Sequence, residues 1–518
     1  MKYIQGIPRQ QLVLFPRSLD EMIHRDNEVR IIDSFVNMLD LNQMGFRNMN
    51  ITEEGRPAYH PADLLKLYIY GYLNRTRSSR ELEKETHRNI EVMWLLKGLR
   101  PDHNTIANFR RDNAEAIRQV FRKTVEVAQY RHLIGGNLIA GDSVKLRAQN
   151  SKKNNYNQDK IDRHIKYIDN KLEEYNTILE QSDLPAEEKK KIEDGIKKHQ
   201  LHKAKYQGIG QKLRETGEAQ VSTSDPDSRQ MIVRNNITEV AYNTQTMVDS
   251  QHKLILDYKV TNHNDTNAMS DMVKRATGIL QSNDFMVLFD KGYHTGEEIR
   301  SCHQMGVETL VAIPDRPVSS QAPDPDYNYE KFVYDSSNDC YICPQKQHLT
   351  SNGVWYHTKR SRFKQYKTRE CKHCPVRNRC TICKKNGRVI QRSECADNVI
   401  RNQAVMEQNP AIYKLRQSIV EHPFGTIKRQ WGFDHTVIKR FMFRVSADIG
   451  LIFVAYNLRR LINIIGNELN MQFIALKQHY FWFCLTFLCC DFTRMILQSI
   501  TGARNFTEKE NVKLFLTR

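Results

Sequence analysis

The stretch at 285–293, FMVLFDKGY, constrains the fold of this chain more than any other. Its first five residues form an unbroken apolar run, which is typical of a strand covered on both faces of a sheet. The run stops at Asp290, and the three residues after it predict a tight turn. A carboxylate at the C-terminal end of a buried strand lies where open α/β sheets place ligands and chemistry. The alternative is that Asp290 only caps the next helix, since Asp is common after strands.

A second stretch has the same design. Asn137 to Asp142, NLIAGD, is also apolar and also ends on an aspartate. Two buried strands that each deliver a carboxylate indicate a shared metal site. Mg²⁺ favours carboxylate oxygen and water, and two such ions can stabilise both the attacking and the leaving oxygen of a phosphodiester displacement. Asp142 and Asp290 are therefore the first two candidate ligands.

A third carboxylate is expected to complete such a site, and Glu421 is the candidate. In a helix with 3.6 residues per turn, Tyr413, Gln417 and Glu421 share one face, with Arg416 alongside. This grouping places a carboxylate for metal beside a cation and a phenol for phosphate. A single helical glutamate is rarely catalytic, so the case for Glu421 rests on its neighbours.

Periodicity divides the chain into helical and mixed parts. From about residue 220, short β-prone runs first follow one another and then alternate with helices, which predicts an α/β fold with a mixed sheet flanked by helices. Two arms with seam-like apolar stripes predict a helical hairpin before them. The predicted domains are a helical N-terminal domain, 1–130; a catalytic core, 131–470, interrupted by the hairpin, 151–218, and a basic Cys-rich insert, 316–405; and an unassigned tail, 471–518.

The N-terminal domain is predicted to be helical almost throughout. Pro61 stands just inside a helix start, where a missing N–H does no harm. Thr105 is the predicted N-cap of a further helix that runs to about Gln129. Between these helices, residues 74–83 form a turn with three arginines that leads into a helix. Such an arrangement suits a helix-turn-helix that aims arginines at phosphates, and a plain helical bundle fits the same pattern.

Charge points to a polyanionic partner. The 518 residues contain 78 Lys and Arg against 60 Asp and Glu, a net charge of +18. Residues 331–400 hold 15 Lys and Arg against 5 Asp and Glu, a net of +10, whereas residues 151–220 hold 15 against 13. Nucleic acid is the first candidate for a chain this basic. The stretch at 331–400 is the predicted phosphate-binding surface, and the hairpin is predicted to be a packed arm without chemistry of its own.

The cysteines form a separate pattern. Cys340 and Cys343 make one C-x-x-C pair and Cys371 and Cys374 a second, with 27 residues between the pairs. Two such pairs can supply the four ligands of a tetrahedral structural Zn²⁺. A third pair, at 380 and 383, competes for the same role. The alternative is a loop of reduced cysteines without metal.

Membrane and secretion signals are not predicted. The N-terminus lacks the continuous apolar core of a signal peptide. The most apolar run, Tyr480 to Cys490, has eleven residues, where a bilayer needs about 20. Eleven cysteines in so long a chain are not a secreted disulfide framework. The expectation is a soluble protein of a reducing compartment, the cytoplasm.

Several motifs in a fixed order carry a resemblance to a known family. They are NLIAGD, TSDPDSRQM (223–231), AYNTQTMVD (241–249), FDKGY, VEHPFGTIK (420–428) and VAYNLRRL (454–461), preceded by PADLLKLYIYGYLNRTRSSRELE (61–83) and PDHNTIANFR (101–110). In these residues the chain resembles the DDE transposases of bacterial insertion sequences, in the branch with a helical N-terminal domain before a ribonuclease-H-like core. The resemblance covers residues from about 30 to 465.

The resemblance implies a catalytic triad of Asp142, Asp290 and Glu421 that binds two Mg²⁺ or Mn²⁺ ions. It implies cleavage of DNA at the ends of an element and transfer of the freed 3′-hydroxyl to target DNA. A family signature of Tyr, Arg, Glu and Lys would place DNA contacts at Tyr413, Arg416 and Lys428. The spacing departs from the family at one point: four residues separate Arg416 from Glu421, and the commoner number is three.

The partners implied are double-stranded DNA, as terminal inverted repeats and as target, and a second copy of the chain in a homodimer. Two alternatives stay open from the sequence. One is another metal-dependent nuclease or resolvase on the same core, which would cut without joining. The other is an inactive zinc-containing DNA-binding relic of such an enzyme.

Overall fold

The structure is a computed structural model, and it describes residues 18–49, 57–181, 185–234, 237–315, 321–358, 361–383, 387–466, 468–469 and 473. The chain divides into two compact units, residues 1–120 with 454–518 and residues 121–453. The predicted tail, 471–518, lies outside the described residues except for Phe473, as does the apolar run at 480–490.

The first unit is helical in its described part. Its helices are α1 (Leu19–Met22), α2 (Glu28–Asn37), α3 (Pro61–Leu73), α4 (Ser79–Arg88), α5 (Ile90–Leu95) and α6 (His103–Asp112). Two more helices, α7 (Ala114–Tyr130) and α15 (Met442–Ile465), each contain a boundary between the units. The prediction of a helical N-terminal region is confirmed, and α3 begins at Pro61 as expected.

The prediction for Thr105 was wrong. The N-cap of α6 is Asp102, whose carboxylate accepts hydrogen bonds from the backbone N–H of Asn104 and of Thr105. Thr105 instead donates its hydroxyl to Asp102 at 2.8 Å. The predicted single helix is two helices, since α6 ends at Asp112 and α7 begins at Ala114. Asp is among the strongest N-cap residues, and at its position three residues earlier it outcompetes threonine.

The arginine-rich turn between α3 and α4 has an inward-facing member. Arg77 is buried, whereas Arg75 and Arg80 are exposed. The backbone oxygen of Arg77 accepts a hydrogen bond from the guanidinium of Arg110 at 3.0 Å, and Arg110 also donates to the hydroxyl of Tyr72 at 2.9 Å. Arg77 and Arg110 therefore stabilise the helical unit, and only the outer arginines of the turn face solvent.

The second unit is built on a six-stranded mixed sheet. Its strands are β1 (Leu138–Arg147), β4 (Arg229–Arg234), β5 (Ile237–Asp249), β6 (Ile255–Thr261), β7 (Met286–Phe289) and β8 (Glu308–Val311). They lie in the order β4-β5-β1-β7-β8, with β6 also paired to β5. β5 is antiparallel to β1, β4 and β6, whereas β7 is parallel to both β1 and β8. The predicted mixed sheet is confirmed.

Helices flank this sheet, as the predicted alternation of strands and helices along the chain led us to expect. They are α10 (Met269–Leu280), α11 (Gly296–Gln304), α13 (Ala396–Gln408) and α14 (Pro410–Phe424), the last continued by a π-helical turn (Gly425–Gln430). On the side of β8 away from β7, Asn402 of α13 contacts the backbone of the strand. The buried Asn402 accepts a hydrogen bond from the Val311 N–H and donates to the Val311 oxygen, both at 2.9 Å. This side-chain amide satisfies backbone groups that an edge strand would otherwise leave unpaired.

Two segments interrupt the sheet. The first holds α8 (Gln158–Gln181) and α9 (Ala186–Thr216), with the short strands β2 (Asn155–Tyr156) and β3 (Val221–Ser222) at its base. α8 and α9 pack against each other as the predicted hairpin. At its base, Tyr156, Ile161, Leu213 and Val221 form a small hydrophobic core of their own.

The second segment is the Cys-rich insert, which contains its own antiparallel sheet. Its elements are β9 (Val333–Asp335), β10 (Cys340–Ile342), β11 (His348–Ser351), β12 (Tyr356–His357), β13 (Arg362–Lys367), α12 (Arg377–Cys380) and β14 (Ile390–Ser393). The buried side chains of this sheet form a second core, made by Phe332, Tyr341, Leu349, Tyr366 and Ile390. Among the described residues, no helix has both the length and the apolarity needed to cross a bilayer.

Candidate active site

Parallel pairing of β1 with β7 brings the two predicted aspartates together. Ala140 pairs with Leu288, and Asp142 and Asp290 each follow two residues later. Because the two strands run in the same direction and side chains alternate with a period of two, both carboxylates leave the same face of the sheet. The negative charge of Asp290 acts on Asp142 and raises its pKa.

Each of these two carboxylates is held by the backbone of the next residue. The N–H of Ser143 donates to Asp142 Oδ1 at 2.7 Å, and the N–H of Lys291 donates to Asp290 Oδ1 at 2.6 Å. Asp290 also caps a short 3₁₀ turn, Lys291–Tyr293. Asp290 thus caps the element that follows it, as the alternative from the sequence predicted. It also lies beside Asp142.

Asp142 is the more enclosed of the two. Burial raises the pKa of its carboxyl, and the neighbouring Asp290 and Asp265 add to that rise, whereas Arg416 and the Ser143 N–H oppose it. Arg416 donates from Nη1 to Asp142 Oδ2 at 3.2 Å. The guanidinium therefore supports the ionised form of a carboxylate that burial and like charges disfavour.

A third carboxylate near this pair, Asp265, was missed from the sequence. Its Oδ1 accepts hydrogen bonds from Asn243 Nδ2 at 2.7 Å and from Gln245 Nε2 at 2.8 Å. Gln245 in turn accepts at 2.5 Å from the hydroxyl of Tyr293, the residue that ends the FDKGY turn. Asp265 follows β6 in a polar stretch, NHND, that no apolar pattern marks. The signal in the sequence was the presence of two polar side chains, Asn243 and Gln245, on the otherwise buried strand β5.

α14 lies against the strands that carry the aspartates, with contacts to β1 and β7. Tyr413 donates its hydroxyl to the backbone oxygen of Phe289 at 3.2 Å, next to Asp290. One turn later Arg416 reaches Asp142. The helix therefore contacts both aspartate-bearing strands through two of the residues that the sequence singled out.

The other two predicted residues of this helix region lie further along. Lys428, in the π-helical turn, donates to the backbone oxygen of Lys145 on β1 at 3.4 Å. Glu421 lies between Arg416 and Lys428 in sequence; its exposed side chain accepts a hydrogen bond from Gln417 Nε2 at 2.8 Å. The structure thus brings Asp142, Asp290, Tyr413 and Arg416 together and gives Glu421 a contact within its own helix.

The residues at this site fit a hard divalent cation in their chemistry. Asp142 and Asp290 supply carboxylate oxygens, the ligands that Mg²⁺ prefers. Burial raises the pKa of Asp142, and the negative charge of Asp290 adds to the rise; a bound cation would offset both effects. As the side chains stand, the described part of the chain holds no group of three or more His, Cys, Asp and Glu close enough to ligate one ion.

The predicted cysteine ligands are distributed over two places. Cys343, Cys371 and Cys374 line one small cavity in the insert together with Cys380. Cys340 is buried in β10, with its sulfur 3.4 Å from His348 Nδ1. Cys383 is exposed.

Comparisons with known proteins identify the class. Residues 17–112 match a family model described as a transposase domain (DUF772), and residues 342–462 match one described as a transposase DDE domain. Among solved structures the chain is similar to piggyBac transposase in a synaptic complex with hairpin DNA, at 8% identity over 88% of this chain and 80% of that one. The TM-score of 0.28 is too low for this likeness to carry an argument. No curated protein matches the chain.

Both family matches support a DDE transposase, an enzyme. In chain order, the match to the DUF772 transposase domain precedes the match to the DDE domain. The DDE match includes Tyr413, Arg416 and Glu421, and it begins after Asp142 and Asp290. The individual roles of these five residues stay predictions.

Proposed function

We propose that this transposase cuts DNA at the ends of an insertion sequence and joins the freed 3′ ends to target DNA, with Asp142, Asp290 and Glu421 as its catalytic carboxylates. The observation that carries the proposal is the placement of Asp142 and Asp290 on neighbouring parallel strands, with Arg416 of α14 against Asp142. Two carboxylates meeting at the end of a mixed sheet are what metal-assisted phosphoryl transfer needs.

The strand order supports a ribonuclease-H-like core. Three antiparallel strands, β6, β5 and β1, are followed by the parallel pair β7 and β8. Asp142 lies on the central strand and Asp290 directly after its parallel neighbour. This arrangement is the one that the family resemblance leads us to expect.

The protein groups of the site orient the carboxylates and set their charge. The Ser143 and Lys291 N–H groups fix one oxygen of each aspartate, which keeps both carboxylates turned toward the same side. Arg416 opposes the rise that burial causes in the pKa of Asp142. Mg²⁺ or Mn²⁺, when bound by these residues, would supply the charge that stabilises the attacking and leaving oxygens.

Glu421 completes the proposal only if its side chain turns from Gln417 toward the aspartates. Its helix already lies against β1 on either side of it, through Arg416 and Lys428. A change of rotamer that exchanges one hydrogen bond for a cation contact is a small step in free energy, since an exposed hydrogen bond contributes about 1 kcal/mol.

Double-stranded DNA is the proposed substrate, and its ends require at least two copies of the chain in the active assembly. Tyr413, Arg416 and Lys428 are the proposed DNA contacts beside the site. A guanidinium has five N–H donors in a fixed fork, so Arg416 can hold Asp142 and still reach a phosphate. The basic insert is the second proposed DNA contact.

The experiment is divalent-metal-dependent cleavage and strand transfer on DNA that carries the element's own ends. Asp290→Asn is expected to reduce both reactions to background while DNA binding in a gel-shift assay is unchanged. The control is Asp284→Asn, an exposed carboxylate just before the same strand, which should behave as wild type. Cleavage that survives Asp290→Asn would show that the site is elsewhere. Cleavage without joining would favour the nuclease alternative, and binding without cleavage by wild type would favour the relic.

Glu421 can be tested against a closely matched control. Gln403 on α13 donates to Glu407 at 2.9 Å, in the same i to i+4 arrangement as Gln417 and Glu421. Glu421→Gln is expected to abolish cleavage, whereas Glu407→Gln should leave the rate within about twofold of wild type, as for a surface substitution. Equal rates for the two variants would remove Glu421 from the catalytic set.

A further inference from the structure

Four cysteines of the insert converge on one small cavity. Cys343, Cys371, Cys374 and Cys380 all line it, together with Arg388, and its volume is about 30 Å³. Cys343 and Cys380 also pack on the insert's hydrophobic core. The four thiols thus share one cavity and do not form two separate pairs, although as the side chains stand no three of these described residues are close enough to ligate one ion.

Strand geometry explains why Cys340 is not a member. Cys340 and Tyr341 are successive residues of β10, and successive side chains of a strand point to opposite faces. Tyr341 faces the insert's core, the side on which Cys343 packs. Cys340 therefore points away from the cluster, and its sulfur meets His348 instead.

The turn after β10 presents the first thiol in a form suited to a metal. The Cys343 N–H donates to the Gln347 oxygen at 2.9 Å, and the Lys346 N–H donates to the Cys343 oxygen at 2.8 Å. The Gln347 N–H then points at Cys343 Sγ, at 3.3 Å. A backbone N–H directed at sulfur stabilises the thiolate, which is the form of cysteine that binds metal.

The chain after the cluster closes over it. Gly387 has φ +68, and a Cβ at this position would overlap the Cβ of Cys371. The next residue, Arg388, has a buried Nε with no hydrogen-bond partner among the described residues. Arg388 lines the same cavity as the four cysteines. The positive charge of Arg388 beside the four thiols would offset the negative charge that the cysteines gain when they lose their protons.

We propose that Cys343, Cys371, Cys374 and Cys380 bind one structural zinc ion, and that Cys340 and Cys383 do not. Four thiolates around Zn²⁺ make a tetrahedral site with Zn–S bonds of about 2.3 Å. Binding draws the sulfurs inward across the cavity, releases the four thiol protons to solvent and leaves a net double negative charge beside Arg388. The proposal is independent of the catalytic function proposed above.

The test is the metal content of the full chain and of its single Cys→Ser variants, purified without chelator and measured by mass spectrometry of the metal. Wild type, Cys340→Ser and Cys383→Ser are expected to hold one zinc per chain. Cys371→Ser and Cys380→Ser should each lose most of it. A wild type without zinc, or zinc lost from Cys340→Ser and kept in Cys380→Ser, would overturn the proposal.

A second measurement needs no variant and so does not depend on how the variants fold. The wild-type chain is alkylated with and without a zinc chelator, and the modified cysteines are mapped by mass spectrometry. Chelation should open Cys343, Cys371, Cys374 and Cys380 to alkylation together, while exposed Cys383 reacts in both samples. Equal alkylation of the four with and without chelator would contradict the proposal. Replacement of zinc by Co²⁺ should give the absorption spectrum of a tetrahedral tetrathiolate. The absence of this spectrum would also contradict the proposal.

Discussion

At the scale of single residues, the two aspartates depend on a close approach between their strands. Gly141 directly precedes Asp142, and the Phe289 ring directly precedes Asp290. A Cβ on Gly141 would overlap the Cε1 and Cζ atoms of that ring. Phe289 is itself fixed by burial and by contact with Tyr293, at 4.7 Å between ring centroids. The absence of a side chain at 141 thus lets both carboxylates hold their positions.

Gly141→Ala should therefore impair activity as well as stability. Displacing a packed ring costs about 1–3 kcal/mol, and the displacement passes directly to Asp290. We expect cleavage at least about tenfold slower than wild type, measured on chain that is still folded by circular dichroism. The control is Gly278→Ala in α10, where a Cβ meets nothing within 4 Å. That variant should gain about 0.5–1 kcal/mol and keep full activity. Normal cleavage by Gly141→Ala would show that Phe289 does not fix Asp290.

At the scale of elements, one carboxylate connects the strands of the insert. Asp339 accepts hydrogen bonds from the Tyr334 hydroxyl at 2.8 Å, from the Tyr366 hydroxyl at 2.6 Å and from Lys364 Nζ at 2.8 Å. The bond from Lys364, followed by that from Tyr366, lowers the pKa of Asp339 to about 2. β9, β10 and β13 are joined through this single side chain.

The stability of the insert should accordingly depend on acid. Because the pKa of Asp339 is lower in the folded chain than the ordinary 3.8, its contribution is full above that ordinary value and is lost as the pH falls toward 2. Asp339→Asn should reduce the free energy of local opening by about 1 kcal/mol at pH 7, after allowance for a half-exposed site.

The measurement is amide hydrogen exchange of peptides that cover β10 to β13, in wild type and variant. The difference between the two should shrink as the pH is lowered from 5 to 3, since wild-type Asp339 then gains its proton on unfolding. Asp326→Asn, at an exposed position of the same insert, serves as control. A difference that stays constant over this range would mean that the hydrogen bonds to Asp339 do not act through its charge.

Much of the element order could be predicted from the sequence because the signals are local. The apolar run before Asp290 marks β7, the seam-like stripes mark α8 and α9, and Pro61 marks the start of α3. Each of these three signals depends on residues that are close to one another in the chain. The family motifs then identified the class of enzyme, which the family matches confirm.

What the sequence did not reveal depends on side chains brought together by the fold. Asp265 reaches the site through Asn243 and Gln245, some 20 residues away in the chain. The cysteine spacing suggested pairs, but strand alternation directs Cys340 away from the cavity, and Cys380, at the end of α12, lines it with the other three cysteines. The spacing alone does not distinguish these arrangements, since they depend on how the strands and α12 are placed in the fold.

At the scale of the whole molecule, the excess positive charge is concentrated in the insert, and part of it is used internally. Arg362 pairs with Glu394, Lys364 with Asp339 and Arg379 with Asp324. The formal net of +10 for residues 331–400 already counts Glu394 and Asp339, and Asp324, which lies outside that range, neutralises one further cation. Lys367, Arg369 and Lys372 are exposed on the surface of the same insert.

DNA binding should therefore weaken with salt, and these three residues should account for part of the effect. Each phosphate contact contributes about 0.9 to the slope of log K against log salt concentration. Replacing Lys367, Arg369 and Lys372 together by alanine should lower that slope by up to about 2.7, measured by fluorescence anisotropy. The control is the variant in which Lys189, Lys190 and Lys191 are replaced together by alanine. These lysines are exposed on α9, and their replacement removes the same amount of charge. Equal slopes for the two variants would place the DNA elsewhere than the insert.

The site is assembled from distant parts of the chain, since Asp142 and its partner Arg416 are 274 residues apart. The hairpin and the insert are both synthesised between them. A ribosome that has released β1 and β7 has thus produced two aspartates without the helix that lies against them. Nascent or prematurely terminated chains that end before α14 would carry the N-terminal helices and an incomplete form of the proposed catalytic centre. If the proposed function holds, the order of synthesis delays the capacity to cut DNA until almost the whole described chain has been made.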